Sequence, residues 1–293
     1  MQPALTMTIS ILKLRIGSFV ALAALVGVIT AGGKMGWIEA AVFTLAVLGA
    51  SGAAGAFNQY YERDSDRLMA RTATRPFASG TLKPGAIWPI TFTALLAGSL
   101  LMGWSVGGTL AAVLVFFGAF TYGIVYTVWL KRRSVWNVVI GGASGSFAML
   151  AGAVAAAPDA GPVLGPVPVL LAAVMFLWTP PHFWALAAAK GADYRRAGIP
   201  MLPVVTEPRV WAPVIFVHVA TLVLLSLGPL FYGMGVVYGL CAVGGGGYFL
   251  LTSWRLMRCP DKRNAMATFF ASLIQFSLLS LGVILDGAIK WVL

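Results

Sequence analysis

The sequence predicts an all-α integral membrane protein of nine transmembrane helices with a cytoplasmic N-terminus. Three observations lead there. Only 10% of the 293 residues are charged and 59% are hydrophobic, against roughly 25% charge in a soluble domain. With a mean hydropathy of +0.88, a water-soluble fold would have more apolar surface than its interior could hide. The residues free of Asp, Glu, Lys and Arg fall into seven long runs, and the basic residues between them are confined to alternate loops. The net charge of +11 has no polar, basic domain to carry it, so nucleic acid is excluded as a partner, and the charge is read as facing the lipid bilayer and an anionic substrate. Cys241 and Cys259 are too few for a disulfide framework or a metal site.

A helix needs about 20 apolar residues to cross the hydrocarbon core. The runs 16–33, 40–61, 134–158, 160–189 and 264–285 each fit one helix. Runs 84–130 and 210–254 are 47 and 45 residues long and are interrupted at Gly103 to Gly108 and at Gly228-Pro229 to Gly235. Each is therefore a helical hairpin, which brings the total to nine. With an inward N-terminus, Lys13 and Arg15, Arg63 to Lys83, Lys131 to Arg133, Lys190 to Arg209 and Arg255 to Arg263 all lie on the cytoplasmic side, and only Lys34 and Lys290 fall outside. One missed helix would invert every later loop. The first run resembles a signal anchor but is read as retained, eight more spans following it. The chain is read as a single polytopic domain, 1–293, with four-helix pseudo-repeats about 10–133 and 134–263 and a ninth helix at 264–289.

The two longest inward loops carry most of the polar chemistry. The first holds Asn58, Glu62 and Asp66 at i, i+4 and i+8, a spacing that lines one helix face. Two carboxylates at the C-terminal end of a helix repel each other and oppose the helix dipole, so a cation should offset them. Two readings fit the spacing. Arg63 with Asp66 and Asp64 with Arg67 would make ordinary surface pairs; alternatively, Mg²⁺ would bridge the oxygens to a substrate phosphate. The surroundings favour the metal, because Arg63, Arg67, Arg71, Arg75, Lys131, Arg132 and Arg133 supply donors suited to a diphosphate.

The second loop and its preceding helix run from Phe176 to Pro203. Pro180-Pro181 should kink or unwind that helix, freeing backbone groups at membrane depth. His182 would sit at the break, either as a functional group or hydrogen-bonded to a freed carbonyl. His218 has no such context and reads as structural. Lys190 and Asp193 follow at the boundary.

Four segments together resemble the UbiA superfamily of intramembrane prenyltransferases, on its haem-modifying branch. They are Asn58 to Asp66, Arg71-Thr72-x-x-Arg75-Pro76, Tyr126 to Arg132 with Asn137 and Gly141-Gly142, and Trp178 to Pro203 with its Thr-Pro-Pro-His-Phe-Trp and Asp-Tyr-x-x-Ala-Gly-Ile-Pro-Met-Leu-Pro motifs. The resemblance implies a UbiA-type helical bundle in a bacterial inner membrane, with its active site facing the cytoplasm. It implies transfer of the farnesyl group of farnesyl diphosphate to a vinyl group of haem b, giving haem O and diphosphate. It also implies Mg²⁺ as cofactor, and a haem A synthase or oxidase assembly factors as partners. On this basis Asn58, Glu62 and Asp66 hold the metal, Asp193 assists them, and Arg67, Arg71, Arg75, Lys131, Arg132 and Lys190 bind the diphosphate. Tyr122 and Tyr126 would shield the farnesyl cation, and His182 would meet haem either at its iron or at a propionate.

The sequence departs from the pattern twice. Where many relatives carry a second Asp-x-x-x-Asp set it has Asp193 followed by Ala197, and the stretch after Gly141-Gly142 lacks prolines. Two other readings are weighed against this one. Another UbiA-type enzyme would take an aromatic or chlorophyllide acceptor, and a membrane transporter would also use a two-unit bundle with broken helices, but its polar groups would lie at the midplane.

Overall fold

Hydrophobic runs separated by basic loops become a bundle of long helices. A computed structural model describes residues 4–32, 35–157 and 164–292; Lys34 and the side chain of Lys290 lie outside them. In chain order the helices are α1 (Ala4–Ile11), α2 (Leu14–Thr30), α3 (Trp37–Tyr61), α4 (Arg63–Asp66), α5 (Ile87–Phe120), α6 (Asn137–Gly141), α7 (Ala143–Ala156), α8 (Pro166–Ala189), α9 (Gly191–Arg196), α10 (Leu202–Val205), α11 (Pro208–Leu227), α12 (Val236–Arg258) and α13 (Lys262–Val292). A π-helix, Thr121–Leu130, continues α5. Among the described residues seven helical segments are long and apolar enough to cross a membrane, and α1 with α2, bent by 61°, makes an eighth when taken as one. The chain is an integral membrane protein.

The segment Ile87–Leu130 is not a straight rod. Gly108 has φ 77 and ψ 177, a backbone that a residue with a side chain rarely adopts, and the path doubles back there. Phe92 packs its ring 6.3 Å from Tyr60 near the C-terminal end of α3. Gly103 lies beside Phe43 and Ala46, and Gly123 is again beside Ala54 and Phe57. The interruption between α11 and α12 also takes shape, as a 3-10 turn over Gly228–Tyr232 followed by Gly233 at φ 88.

Helices α2, α3, α5 and α7 pack on one another, as do α8, α11, α12 and α13; α7 against α8 and α2 against α13 join the two groups. Small side chains make the first group tight, with Ala24, Ala50, Ala111 and Ala151 fully buried or nearly so. Close backbone approach is how helices associate where lipid removes the hydrophobic drive between them.

Two local features differ from expectation. The first span breaks at Lys13, which adopts left-handed φ 50 and ψ 42 between α1 and α2. Helix α8 runs unbroken through Pro180 and Pro181, so the unwinding expected there does not occur. Beside the prolines, Trp178 Nε1 donates to Ser272 O of α13 at 2.8 Å, and Thr179 Oγ1 donates to Met175 O at 3.2 Å.

Candidate active site

Helix α3 stops at Tyr61, and Glu62 (φ −92, ψ 6) links it to the single turn of α4. Two backbone bonds, Glu62 N to Asn58 O at 3.0 Å and Asp66 N to Glu62 O at 2.8 Å, carry the four-residue spacing across the junction. Asn58, Glu62 and Asp66 therefore share one face, and all three are fully buried.

Cations gather on this face from three places in the chain. Lys131, just after the π-helix, donates to Glu62 Oε2. Arg75 Nη1 donates to Asp66 Oδ2 at 2.7 Å. Lys13 donates to Asn58 Oδ1 and, at 3.2 Å, to Tyr122 OH. Arg132 Nη2 donates to Ser65 Oγ at 2.6 Å. Asn58 Nδ2 in turn donates to Glu62 Oε2 at 3.0 Å and to Thr127 Oγ1 at 2.8 Å, which closes the cluster.

The surface pairing foreseen for the acidic loop forms only in part. Arg67 Nη1 lies 3.7 Å from the exposed Asp64, but Asp66 takes Arg75 instead of Arg63. Arg63 Nη1 turns back to the Tyr60 carbonyl at 2.8 Å. Arg67 is also anchored by Nε to Ala78 O at 2.8 Å. Arg71 is exposed, within electrostatic range of Tyr126.

One oxygen on each carboxylate has no hydrogen-bond partner among the described residues. Glu62 Oε1 and Asp66 Oδ1 are buried without a hydrogen bond, as is Asn137 Oδ1. A buried acceptor left unpaired is costly, and the cost is larger for a charged group in a membrane. Two such oxygens on adjacent carboxylates suit a hard divalent cation, which takes one or two carboxylates and completes its shell with water and phosphate oxygens. The donor set thus fits Mg²⁺ at Glu62 and Asp66, while Asn58 Oδ1 is held by Lys13.

The π-helix shapes one wall. Lys131 N bonds Tyr126 O at 2.8 Å, and Thr127 Oγ1 donates to Tyr122 O at 2.8 Å. Tyr122 and Tyr126 stack 5.6 Å apart at 12°, with Lys13 and Lys131 each 5.7 Å from one of the rings. Gly141 makes room for Tyr126: a Cβ there would stand 2.9 Å from its ring.

From the second half, Asp193 on α9 pairs with Arg196 and Lys190 is exposed. Tyr194 is buried, within electrostatic range of Tyr126. Among the described residues no group of three His, Cys, Asp or Glu is placed to hold a metal. His182 lies deeper, between α8 and α13, where its Nδ1 meets Ser272 Oγ at 2.7 Å. His218 Nδ1 meets Val214 O in its own helix at 2.8 Å.

Sequence reasoning missed Lys13, Thr127 and the buried face of α13 with Thr268, Ser272 and Gln275. For Lys13 a signal existed, a lone lysine between Leu12 and Leu14 ahead of the first uncharged run. Thr127 and Ser272 carried none, since polar residues of their size are common inside membrane helices.

A helical membrane bundle with a buried acidic pair inside a basic ring defines a class, and comparison with known proteins gives it a family. The model of the UbiA prenyltransferase family matches residues 19–277, and the chain belongs to that family. It is 50% identical over 278 residues to protoheme IX farnesyltransferase 2 of Paramagnetospirillum magneticum, covering 94% of this chain and 95% of that one. It is 37% identical to the protoheme IX farnesyltransferase of Granulibacter bethesdensis, covering 95% and 89%. The structure of a UbiA homologue from Archaeoglobus fulgidus bound to DMAPP and Mg²⁺ superposes with a TM-score of 0.70 at 16% identity, covering 94% of this chain and 99% of that one.

Proposed function

We propose that the chain transfers the farnesyl group of farnesyl diphosphate to a vinyl group of haem b, giving haem O and releasing diphosphate. The observation that carries the donor side is the pair of unpartnered oxygens, Glu62 Oε1 and Asp66 Oδ1, inside a ring of Lys13, Arg75 and Lys131. The acceptor rests on the half-identical relative, whose name is protoheme IX farnesyltransferase.

Breaking the allylic carbon–oxygen bond leaves a delocalised cation and a diphosphate that departs with the electron pair, so most of the stabilisation must reach the leaving group. Glu62 and Asp66 would hold Mg²⁺, joined by Asn58 once Lys13 turns from its Oδ1 to the diphosphate, with Asp193 assisting from the second half. When bound, the metal neutralises charge on the phosphate oxygens. Lys131 and Arg75 would turn from the carboxylates to the diphosphate, with Arg67, Arg71, Arg132 and Lys190 at its outer edge. The stacked Tyr122 and Tyr126 would face the allylic carbon and keep water from it. The vinyl group would then attack that carbon, forming the new carbon–carbon bond, and water would add to the cation left beside the porphyrin and lose a proton, giving the hydroxyl of the hydroxyethylfarnesyl side chain.

We read the chain as nine spans, counting α1 with α2 as one and the two limbs of Ile87–Leu130 as two. Its basic loops would face the cytoplasm of a bacterial inner membrane. The chain is treated as one domain, with pseudo-repeats 10–133 and 134–263. Its product would pass to a haem A synthase or an oxidase assembly factor. Membranes carrying the protein, given haem b, farnesyl diphosphate and Mg²⁺, should yield a haem with the mass of the hydroxyethylfarnesyl product. A prenylated aromatic compound instead, or flux of substrate without conversion, would overturn the reading.

A further inference from the structure

We propose that His182 binds the iron of the acceptor porphyrin through Nε2, while Ser272 holds the opposite edge of the ring. The inference rests on the acceptor assignment above and concerns which part of that acceptor the histidine meets.

The hydrogen bonds fix the proton. Ser272 Oγ donates to Phe269 O at 2.6 Å, so what it offers His182 is a lone pair. Nδ1, 2.7 Å away, must therefore carry the hydrogen. In the neutral ring Nε2 is then a bare lone pair, and it makes no hydrogen bond among the described residues. This is the arrangement of a metal-binding histidine, whose other nitrogen is oriented by a hydrogen bond that itself leads back to a backbone carbonyl.

The surroundings favour a neutral ring. Trp178 stacks on the imidazole at 4.3 Å and 17°, Phe269 covers it at 4.6 Å, and Phe183 meets it edge-on at 5.0 Å. His182 forms no ion pair among the described residues. It stands seven residues before Ala189, the last residue of α8, which places it about 10 Å inside that end of the helix. A propionate partner would need an imidazolium at that depth and would bring the carboxylate in with it, both at a desolvation cost. A neutral nitrogen donor to iron avoids that cost. His182 as a residue is 7% exposed, so the aromatic cage does not bury it completely.

Trp178 fixes the platform. Its indole Nε1 donates to the carbonyl of the same Ser272, so one residue of α13 orients both the histidine and the ring stacked upon it.

The test is a titration of the full-length protein in lipid nanodiscs with haem b and, separately, with iron-free protoporphyrin IX, followed by optical absorption and electron paramagnetic resonance. The wild type should give the spectrum of a histidine-bound haem. His182→Ala should lose that spectrum and weaken haem b binding by roughly tenfold or more, with binding of the iron-free porphyrin unchanged. His182→Gly with added imidazole should regain the spectrum, which shows that the site is still folded. An unchanged spectrum in His182→Ala overturns the proposal, as does an equal loss of both porphyrins, the signature of a propionate contact. If His182→Ala keeps the wild-type spectrum and still makes the farnesylated product, the acceptor assignment stands and only the iron contact falls. A wild type that binds neither porphyrin removes the acceptor assignment and this inference together.

Discussion

Lys131 Nζ reaches Glu62 Oε2 across 69 residues of sequence, while Glu62 Oε1 is left buried and without a hydrogen-bond partner among the described residues. The same division holds at Asp66, where Arg75 takes one oxygen and the other is unpaired. Each carboxylate is thus paired with one cation through a single oxygen. The second oxygen is the acceptor that another cation can use.

That division predicts unequal roles for two arginines that look alike in the sequence. Arg75 serves a buried carboxylate, so Arg75→Ala strands a charge and should cost about 3–5 kcal/mol of stability. Arg67 is tied to Ala78 O and to an exposed Asp64, and Arg67→Ala should cost no more than about 1 kcal/mol. Thermal unfolding of the two variants in one detergent should separate them.

Tyr126 depends on a glycine. Gly141→Val places carbon atoms where the tyrosine ring now lies, because even a Cβ there would be 2.9 Å away. The displaced ring should lower product formation by about 10- to 100-fold with the protein still inserted in the membrane. Turnover within twofold of wild type would show that the position of Tyr126 is unimportant.

The acidic face was legible because a four-residue spacing is a helical period, and it persists through the junction at Glu62 even though α3 has ended. The turn at Gly108 was legible for a similar reason, since glycine marks backbone that other residues avoid. Lys13 was not, because its partner Asn58 lies 45 positions away and a left-handed lysine follows from packing rather than propensity. The π-helix over Thr121–Leu130 also has no sequence signature, as its tyrosines sit four apart just as in an α-helix. Pro180-Pro181 misled in the other direction. Proline chemistry alone calls for a break, but α8 stays helical through both prolines.

Divalent metal should act on stability as well as on turnover. Mg²⁺ binds only the folded site, so at 100 times its dissociation constant it should stabilise the protein by about 2.7 kcal/mol. The rise in melting temperature should vanish in Glu62→Gln and Asp66→Asn, and chelation with EDTA should reverse it in the wild type.

Asp193 ranks below the first acidic pair, since it is held by Arg196 on the one-turn-deep boundary helix α9. Asp193→Asn should reduce transfer by about tenfold, whereas Asp66→Asn should reduce it by about a thousandfold or more, as expected when the charge that positions a metal is lost. Equal losses in membrane assays would place Asp193 on the metal with the other two.

The most direct measurement is a crystal structure of the protein soaked with Mn²⁺ and a non-hydrolysable thiodiphosphate analogue of farnesyl diphosphate, read from the anomalous signal of the metal. A metal peak within about 2.0–2.3 Å of Glu62 Oε1 and Asp66 Oδ1, bridging to the diphosphate, is the predicted result. A bound analogue whose metal lies elsewhere, with both carboxylates still paired only to Lys131 and Arg75, would contradict the account.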